Sequence, residues 1–143
     1  MSAADVAVVV PVFNRSQTVL QALASVATQT SPPGRLIVVD DGSTDDSLAA
    51  VRDWAASSRL SFPVAIVGQP NRGVAAARNR GMAEDECSRH FAFLDSDDAW
   101  PADFLDRARH ALRQAPHAVA ATGDRRFVGA AIKKRRPDRK SVV

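Results

Sequence analysis

Several features of secreted and membrane proteins are missing from this sequence. Its 143 residues include a single cysteine, Cys87, which excludes an internal disulfide framework and a cysteine-rich metal site. No apolar run approaches the roughly 20 residues that a membrane-spanning helix needs, and the N-terminus lacks the basic start and apolar middle of a secretory signal. We therefore expect a cytoplasmic protein, with peripheral attachment to the inner face of the membrane as the alternative. Cys87 is interpreted as a buried or idle thiol.

Glycine-rich phosphate loops are also missing. A Rossmann dinucleotide site would carry Gly-x-Gly-x-x-Gly after the first strand, and a P-loop would carry the Walker A pattern, but neither occurs. The first predicted strand is followed instead by residues 11–15, which contain no glycine. This also argues against a nucleotidyltransferase, because that class would place a glycine-rich loop at this position.

The net charge of +3 conceals two regions of opposite sign. Residues 125–143 hold eight lysines and arginines against Asp138 alone, a net charge of +7, whereas the first 124 residues hold 11 cations and 15 acids, a net charge of −4. A basic tail can bind nucleic acid with a salt-dependent affinity. Phe127 is its only aromatic residue, which is little for base stacking, so we expect a solvated, disordered tail and no nucleic-acid partner.

Short apolar runs alternate with amphipathic segments along residues 1–124. Buried strands are predicted at 6–12, 36–39, 64–67 and 90–94, with a fifth at 117–122. Helices are predicted between them, one capped by Ser16, one capped by Ser43 or Thr44 with Asp45 and Asp46 in its first turn, one over 74–86, and one beginning at Pro101. This alternation predicts one α/β domain over 1–124, with a mostly parallel sheet and flanking helices, followed by the tail 125–143.

An acidic stretch follows the fourth predicted strand and places Asp95, Asp97 and Asp98 within four positions. If strand geometry continues, Asp95 and Asp97 lie on one side, and two neighbouring carboxylates repel unless a cation lies between them. Mg²⁺ or Mn²⁺ fits best, because these ions bind one or two carboxylates together with water and phosphate oxygens. A phosphorylated substrate would follow. The alternative is an Asx-rich turn that caps the next helix, with Asp98 as the cap.

Polar or turn-forming residues stand at the ends of all four of the first predicted strands. In an open parallel sheet, ligands bind beyond the carboxyl ends of the strands, so these residues are predicted to share one edge. Turn chemistry can explain any one group, but four groups at one edge favour a binding site. The residues are Pro11, Phe13 and Asn14 after the first strand, Asp40 and Asp41 after the second, Asn71 and Gly73 after the third, and Asp95 and Asp97 after the fourth.

These segments resemble the family 2 glycosyltransferases of the GT-A fold, in order and spacing, over residues 5–124. The resemblance implies a GT-A, Rossmann-like sheet and an enzyme that transfers a sugar from a nucleoside diphosphate donor, with a UDP-sugar expected, to a hydroxyl acceptor with inversion. It also implies a Mn²⁺ or Mg²⁺ cofactor, a glycan or lipid-linked acceptor, and a role in cell-envelope polysaccharide. The matching segments are Val9-Val10-Pro11-Val12-Phe13-Asn14, Val38-Val39-Asp40-Asp41-Gly42-Ser43-Thr44-Asp45, Asn71-Arg72-Gly73, Ala77-Arg78-Asn79-Arg80-Gly81 and Phe93-Leu94-Asp95-Ser96-Asp97-Asp98.

The resemblance also implies a nucleotide pocket built by the ends of the first two strands. Pro11 and Phe13 would wall the base and ribose, with Asn14 beside them, because an aromatic edge suits a nucleobase face. Asp41, with Asp40 next to it, would accept the imide hydrogen of uracil. The alternative for both carboxylates is helix capping and compensation of the helix dipole.

The later motifs imply the groups that meet the diphosphate. Arg78 would face the pyrophosphate or bind the acidic turn, since a guanidinium suits both kinds of oxygen, and a solvated helix face is the alternative. Asp95 and Asp97 would hold the ribose and the metal, with Asp97 as the direct metal ligand.

The family's general base is not recognisable in this sequence, and the Gln-x-x-Arg-Trp segment of many processive members is also lacking. Asp124 is the only late acid at a predicted strand end, and it is not assigned as the base. The resemblance therefore implies a donor-binding half truncated after the fourth or fifth strand, with its catalytic residues unknown. A non-catalytic nucleotide-sugar-binding module is the main alternative.

We predict that the basic tail contributes little to folding, because it lacks apolar periodicity and carries seven net positive charges. Deletion of the residues after Thr122 should leave the melting temperature nearly unchanged when unfolding is followed by circular dichroism. A large fall in Tm would mean that residues 127–132 form a packed strand.

Overall fold

The computed structural model describes residues 5–121 and Gly123. Within them, four strands alternate with four helices, and the strands form one parallel sheet in the order β3-β2-β1-β4. The predicted α/β fold is therefore confirmed. The elements are β1 (Val6–Val12), α1 (Val19–Ala27), β2 (Arg35–Asp40), α2 (Ser47–Ser57), β3 (Val64–Gly68), α3 (Val74–Ala83), β4 (His90–Phe93) and α4 (Phe104–Gln114).

The central position of β1 follows from its composition. All seven of its residues are buried, as expected for a valine-rich strand with both faces covered. Pro11 has no N–H group for the ladder. The carbonyl of Val9 accepts from the Leu94 N–H just after β4, and that of Val12 accepts from the Asp41 N–H just after β2. Pro11, two residues after Val9, therefore presents its nitrogen to the β4 side. Pairing with β4 ends at Val9, and the missing donor therefore costs nothing there.

The two faces of the sheet form separate apolar layers. Alternate residues of each strand lie on opposite faces, so Val8 and Val10 pack against α1, α2 and α4, whereas Ala7 and Val9 pack against α3. The buried residues of α3 are small, because they are Ala77 and Gly81. These small residues let α3 lie close to the sheet.

The predicted helix caps differ from the structure. α1 begins after Thr18 rather than Ser16, and α2 begins after Asp46 rather than Ser43 or Thr44, in both cases without a side-chain capping bond. The two acids predicted for the first turn of α2 accordingly precede it. The loop side chains also make contacts across two loops: Asp45 accepts from the Ser47 N–H at the start of α2 and from the Ser16 N–H after β1, and Ser43 Oγ accepts from the Asn14 N–H.

Other boundaries also shift. α3 ends at Ala83 rather than at residue 86, because the carboxylate of Asp85 accepts hydrogen bonds from the backbone of Cys87 and Ser88 and so favours a turn over further helix. α4 begins at Phe104, after Asp103, so neither Pro101 nor Asp98 starts it.

The region after α4 contains no fifth strand between residues 117 and 121. Thr122 and the basic tail 125–143 lie outside the described residues. Cys87 is exposed, so of the two expectations, a buried or an idle thiol, the buried one is wrong. Among the helices described, none has the length and apolar character needed to cross a membrane.

Gly81 allows α3 to approach the sheet, which generates a stability prediction. A Cβ atom at this position would overlap Cγ1 of Val9 and would lie 3.3 Å from Cγ2 of Val39. Both neighbours are stiff, β-branched and buried. We therefore expect Gly81→Ala to destabilise the chain by about 1–3 kcal/mol through overpacking, although alanine otherwise favours a helix by about 1 kcal/mol.

Urea unfolding measures this change, and Gly68→Ala is the matched control because a Cβ there meets no atom within 4 Å. The control should be close to wild type. Unchanged or increased stability of Gly81→Ala would contradict the prediction.

Candidate functional site

A cleft of about 550 Å³ opens at the carboxyl end of the sheet, the position at which open parallel sheets bind ligands. Eight residues were predicted to bind the nucleotide or the metal, and seven of them line the cleft, namely Pro11, Phe13, Asn14, Asp41, Arg78, Asp95 and Asp97. The other lining residues are Val12, Arg15, Asn71, Gly73, Val74, Ala77 and Ser96. Asp40 is the one predicted residue that does not line the cleft.

Asp41 is buried where the loop after β2 meets the loop between β3 and α3. Its Oδ1 atom accepts from the Gln69 side chain at 2.7 Å and the Arg72 N–H at 2.9 Å, and its Oδ2 atom accepts from the Gly73 N–H at 2.9 Å. Burial alone would raise the pKa of Asp41, but these three hydrogen bonds outweigh it and hold the pKa below its usual value. Asp41 is therefore an ionised acceptor that ties the end of β2 to the loop before α3.

Asp40 is also buried, 5% exposed, but it serves its own loop. Its Oδ2 atom accepts from the Ser43 N–H at 3.2 Å. Its Oδ1 atom has no hydrogen-bond partner among the residues that the structure describes.

Asn14 joins the loop after β1 to the loop after β2. Its φ angle is +48°, a left-handed conformation that asparagine tolerates better than most residues. Its Oδ1 atom accepts from the N–H groups of Thr44 at 2.8 Å and Asp45 at 3.3 Å, and its own N–H donates to Ser43 Oγ at 3.0 Å. The amide oxygen of Asn14 thus holds the second loop and is already occupied.

Asp45 and Ser47 strengthen the same connection. The Ser16 N–H donates to Asp45 Oδ2 at 3.2 Å, and the Arg15 N–H donates to Ser47 Oγ at 2.7 Å. Both the N–H and the hydroxyl of Ser47 donate to Asp45 Oδ1. We call these contacts of Asn14, Asp45 and Ser47 the loop clamp. Beside it, Phe13 is 43% exposed at the edge of the cleft.

Arg78 and Asp95 form the tighter of two ion pairs in the cleft. Arg78 Nη2 lies 2.7 Å from Asp95 Oδ1, and the guanidinium carbon lies 5.7 Å from the centroid of the Phe93 ring. The ring contact adds a cation–π attraction. Of the two alternatives for Arg78, the structure places it against the acidic turn rather than on a solvated helix face.

Asp97 faces a different cation, Arg15, whose Nη2 atom lies 3.7 Å from Asp97 Oδ2, with both side chains about half exposed. β4 ends at Phe93, and the Asp98 N–H donates to the carbonyl of Asp95 at 3.0 Å. Asp95 and Asp97 therefore belong to a turn rather than to an extended strand, but both line the cleft.

The carboxylate oxygens of the cleft suit a hard cation that keeps several of its bound water molecules. Among the described residues, no three side chains of the His, Cys, Asp and Glu types are grouped as a metal site. Mg²⁺ and Mn²⁺ need only one or two carboxylates when phosphate and water supply the other oxygens. Asp97 and Asp95 provide that number.

The chain matches the family model for glycosyl transferase family 2 over residues 7–141. It belongs to this family.

Curated relatives of this family 2 chain include proteins of polysaccharide synthesis. The chain is 30% identical to the putative teichuronic acid biosynthesis glycosyltransferase TuaG of Bacillus subtilis, over 82% of its own length and 46% of that protein. It is 33% identical to the Escherichia coli glucosyltransferase WfgD, over 71% of its length and 38% of that protein. An uncharacterized glycosyltransferase of Rickettsia conorii is 34% identical over 71% of the chain. The chain spans less than half of each relative, and 16% of the Rickettsia protein.

Two proteins of solved structure share the fold. Mannosyltransferase PcManGT of Pyrobaculum calidifontis, in complex with GDP-Man and Mn²⁺, superposes with a TM-score of 0.76 at 28% identity, over 85% of this chain and 36% of that one. S. aureus TarS in complex with UDP superposes with a TM-score of 0.66 at 26% identity, over 80% of this chain and 32% of the TarS chain. The GT-A, Rossmann-like fold expected for the family 2 chain is therefore confirmed.

Four residues that form or support the family 2 cleft were not predicted as site residues. Arg15 lines the cleft, Gln69 binds Asp41, and Asp45 and Ser47 belong to the loop clamp. Asp45 was predicted as an acid in the first turn of a helix. Ser47 and Asp45 have a local signal in the Ser-Thr-Asp-Asp-Ser run, but that run is equally typical of a helix start. Gln69 and Arg15 have no local signal, because their partners are remote in sequence.

The loop clamp makes stability depend on pH through Asp45. The hydrogen bond from the Ser47 hydroxyl, with the backbone N–H groups of Ser47 and Ser16, lowers the pKa of Asp45 from 3.8 to about 2 against a smaller opposing effect of burial. A carboxyl whose pKa is lower in the folded state stabilises the fold above its unfolded value and loses that effect as the pH falls through the folded value. The contribution of Asp45 should therefore be complete above about pH 4 and lost near pH 2.

We predict that Asp45→Asn is less stable than wild type above pH 4 and that the difference shrinks toward pH 2. Free energies of urea unfolding measured from pH 6 to pH 2 test this, with Asp53→Asn, an exposed acid of α2, as the control that should follow wild type. A difference that stays constant over the whole range would show that the Asp45 charge is not responsible.

Proposed function

We propose that this chain binds a nucleoside diphosphate sugar, with a UDP-sugar favoured, as the donor-binding part (residues 1–124) of a glycosyltransferase that acts on a hydroxyl acceptor with inversion. The cleft carries this proposal, because it brings an aromatic ring, a buried carboxylate and two arginine–aspartate pairs to one edge of the sheet. Family membership and a solved relative in complex with UDP support it. Relatives in teichuronic acid and succinoglycan synthesis favour a cell-envelope glycan or lipid-linked acceptor.

The base and ribose would lie against Pro11 and Phe13. Phe13 offers an exposed ring for contact with the base. Asp41 Oδ2 accepts one hydrogen bond, from Gly73, and a carboxylate oxygen can accept more than one, so it retains capacity for the imide N–H of uracil. Cytosine presents an acceptor at that position and would be disfavoured. Asn14 would act indirectly, by holding the loop that carries Phe13.

The diphosphate would lie near Arg78, Asp95 and Asp97. A Mn²⁺ or Mg²⁺ ion would be held by Asp97, with Asp95 beside it, and when bound it supplies positive charge that stabilises the departing diphosphate. Arg78 binds Asp95 and so positions the acidic turn, and its side chain lines the cleft and is about one third exposed. Arginine in this position can also donate to phosphate oxygens.

No described carboxylate of the cleft is assigned as the general base. Asp41 is held by three hydrogen bonds, Asp95 by Arg78, and Asp97 faces Arg15. Each is therefore engaged with a donor or a cation rather than free to take a proton from an acceptor hydroxyl. Within this chain, the proposed role is to bind and orient the donor.

We predict that UDP binds more tightly in the presence of Mn²⁺. Asp97→Ala should reduce the affinity for UDP in Mn²⁺ by at least about tenfold, since one charge-assisted contact contributes about 1.5–3 kcal/mol. Isothermal titration with UDP, with Mn²⁺ or with EDTA, measures both effects. Asp53→Ala, which removes an exposed carboxylate of α2, is the control. Equal binding in EDTA, or undiminished binding by Asp97→Ala, would exclude the metal role.

A second measurement separates a transferase from a non-catalytic nucleotide-sugar-binding module. The chain is incubated with UDP-glucose, Mn²⁺ and a panel of hydroxyl acceptors, and UDP release and glycoside formation are followed separately. Glycoside formation supports a transferase, whereas binding with neither product supports the module.

A further inference from the structure

The cleft contains two arginine–aspartate pairs of different character. Arg78 and Asp95 approach to 2.7 Å, and Arg78 also lies over the ring of Phe93. Arg15 and Asp97 approach only to 3.7 Å, and about half of each side chain is exposed. Exposed ion pairs at such distances are weak and easily exchanged. Asp97 is therefore the cleft carboxylate whose partner is most readily replaced.

The loop clamp places Arg15 at this position. Asn14 holds the loop after β1 against the loop after β2, and the Arg15 N–H donates to Ser47 Oγ at 2.7 Å. The backbone of Arg15 is thus fixed, while within residues 5–121 the contacts of its guanidinium are a 3.4 Å contact with the carbonyl of Asn14 and the loose contact with Asp97. A fixed backbone with an exposed, loosely held guanidinium allows the side chain to change partners without any rearrangement of the fold.

We propose that Arg15 is an internal counterion of Asp97 that a divalent cation displaces, and that the freed guanidinium then binds the donor diphosphate. The inference rests on the proposed function and names a further donor-binding residue of the same cleft. In the free chain, the positive guanidinium of Arg15 lies beside the negative carboxylate of Asp97 and partly balances its charge. When a divalent cation takes over Asp97, the guanidinium and the cation repel each other, and a diphosphate between them attracts both.

This exchange gives Arg15 opposite effects on two ligands. Without nucleotide, Arg15 competes with the cation for Asp97, so its removal should tighten metal binding. With the cation in place, Arg15 adds a charge-assisted contact to phosphate, so its removal should weaken nucleotide binding. A residue with only a structural role would affect both ligands in the same direction or neither.

We predict that Arg15→Ala binds Mn²⁺ alone about two- to fivefold more tightly than wild type, the range expected for loss of a competing exposed ion pair. At saturating Mn²⁺, it should bind UDP about tenfold more weakly, as expected for loss of a charged phosphate contact. Electron paramagnetic resonance of free Mn²⁺ measures the first effect and isothermal titration the second. Arg15→Lys keeps the charge without the planar fork and should lie between wild type and Arg15→Ala on both measures.

Arg107→Ala is the matched control, because Arg107 forms an exposed pair with Asp103 on α4, and both affinities should equal those of wild type. Thermal unfolding of each variant checks the fold. Mn²⁺ binding that is unchanged or weaker in Arg15→Ala, or UDP binding that is not weakened, would overturn the proposal. If wild type binds no UDP with Mn²⁺, the proposed function fails instead, and the diphosphate role of Arg15 fails with it.

Discussion

Parallel pairing around β1 determines where the polar groups of this protein lie. β2 and β4 flank β1, β3 extends the sheet, and all strands run in one direction. β1 and β2 are almost completely buried, so an unpaired polar side chain within them would carry a large desolvation cost. The carboxyl end of each strand is the first point at which the chain can place carboxylates and amides near water. Because the strands are parallel, these points meet at one edge, and the cleft follows from this constraint.

The loops at that edge are held to one another by hydrogen bonds. Asp41 binds the loop before α3, and the loop clamp joins the first two loops. Leaving the buried carboxylate of Asp41 without its partners would cost roughly 1–3 kcal/mol, and the exposed contacts of the loop clamp add to the hold on this edge. The rigid backbone then presents two exposed groups, Phe13 and the guanidinium of Arg15. A preorganised backbone with exchangeable side chains suits a site that binds a charged ligand.

Strand positions were predictable because they depend on local pattern. The run at 6–12 is apolar and mostly valine, and it forms β1 with the predicted bounds. The helix caps were not predictable from local pattern. Ser43 and Asp45 are ordinary capping residues, but they bind Asn14 and Ser16, about 30 residues away, because the sheet brings the two loops into contact. The predicted strand at 117–122 failed in its described part, since a short apolar run carries no information on whether a neighbouring strand is there to pair with it.

The sequence by itself determined the fold class, the edge of the sheet that carries the cleft, and seven of the cleft residues, because burial, periodicity and strand-end chemistry are written in consecutive residues. Only the tertiary structure decided how those residues are paired. Asp95 and Asp97 look equivalent in sequence, yet one is bound by Arg78 from α3 and the other faces Arg15 from the first loop. Asp40 and Asp41 are adjacent, yet only Asp41 lines the cleft. These differences arise because a pair's distance depends on how the helices and loops pack on the sheet, and electrostatic and hydrogen-bond energies depend steeply on that distance.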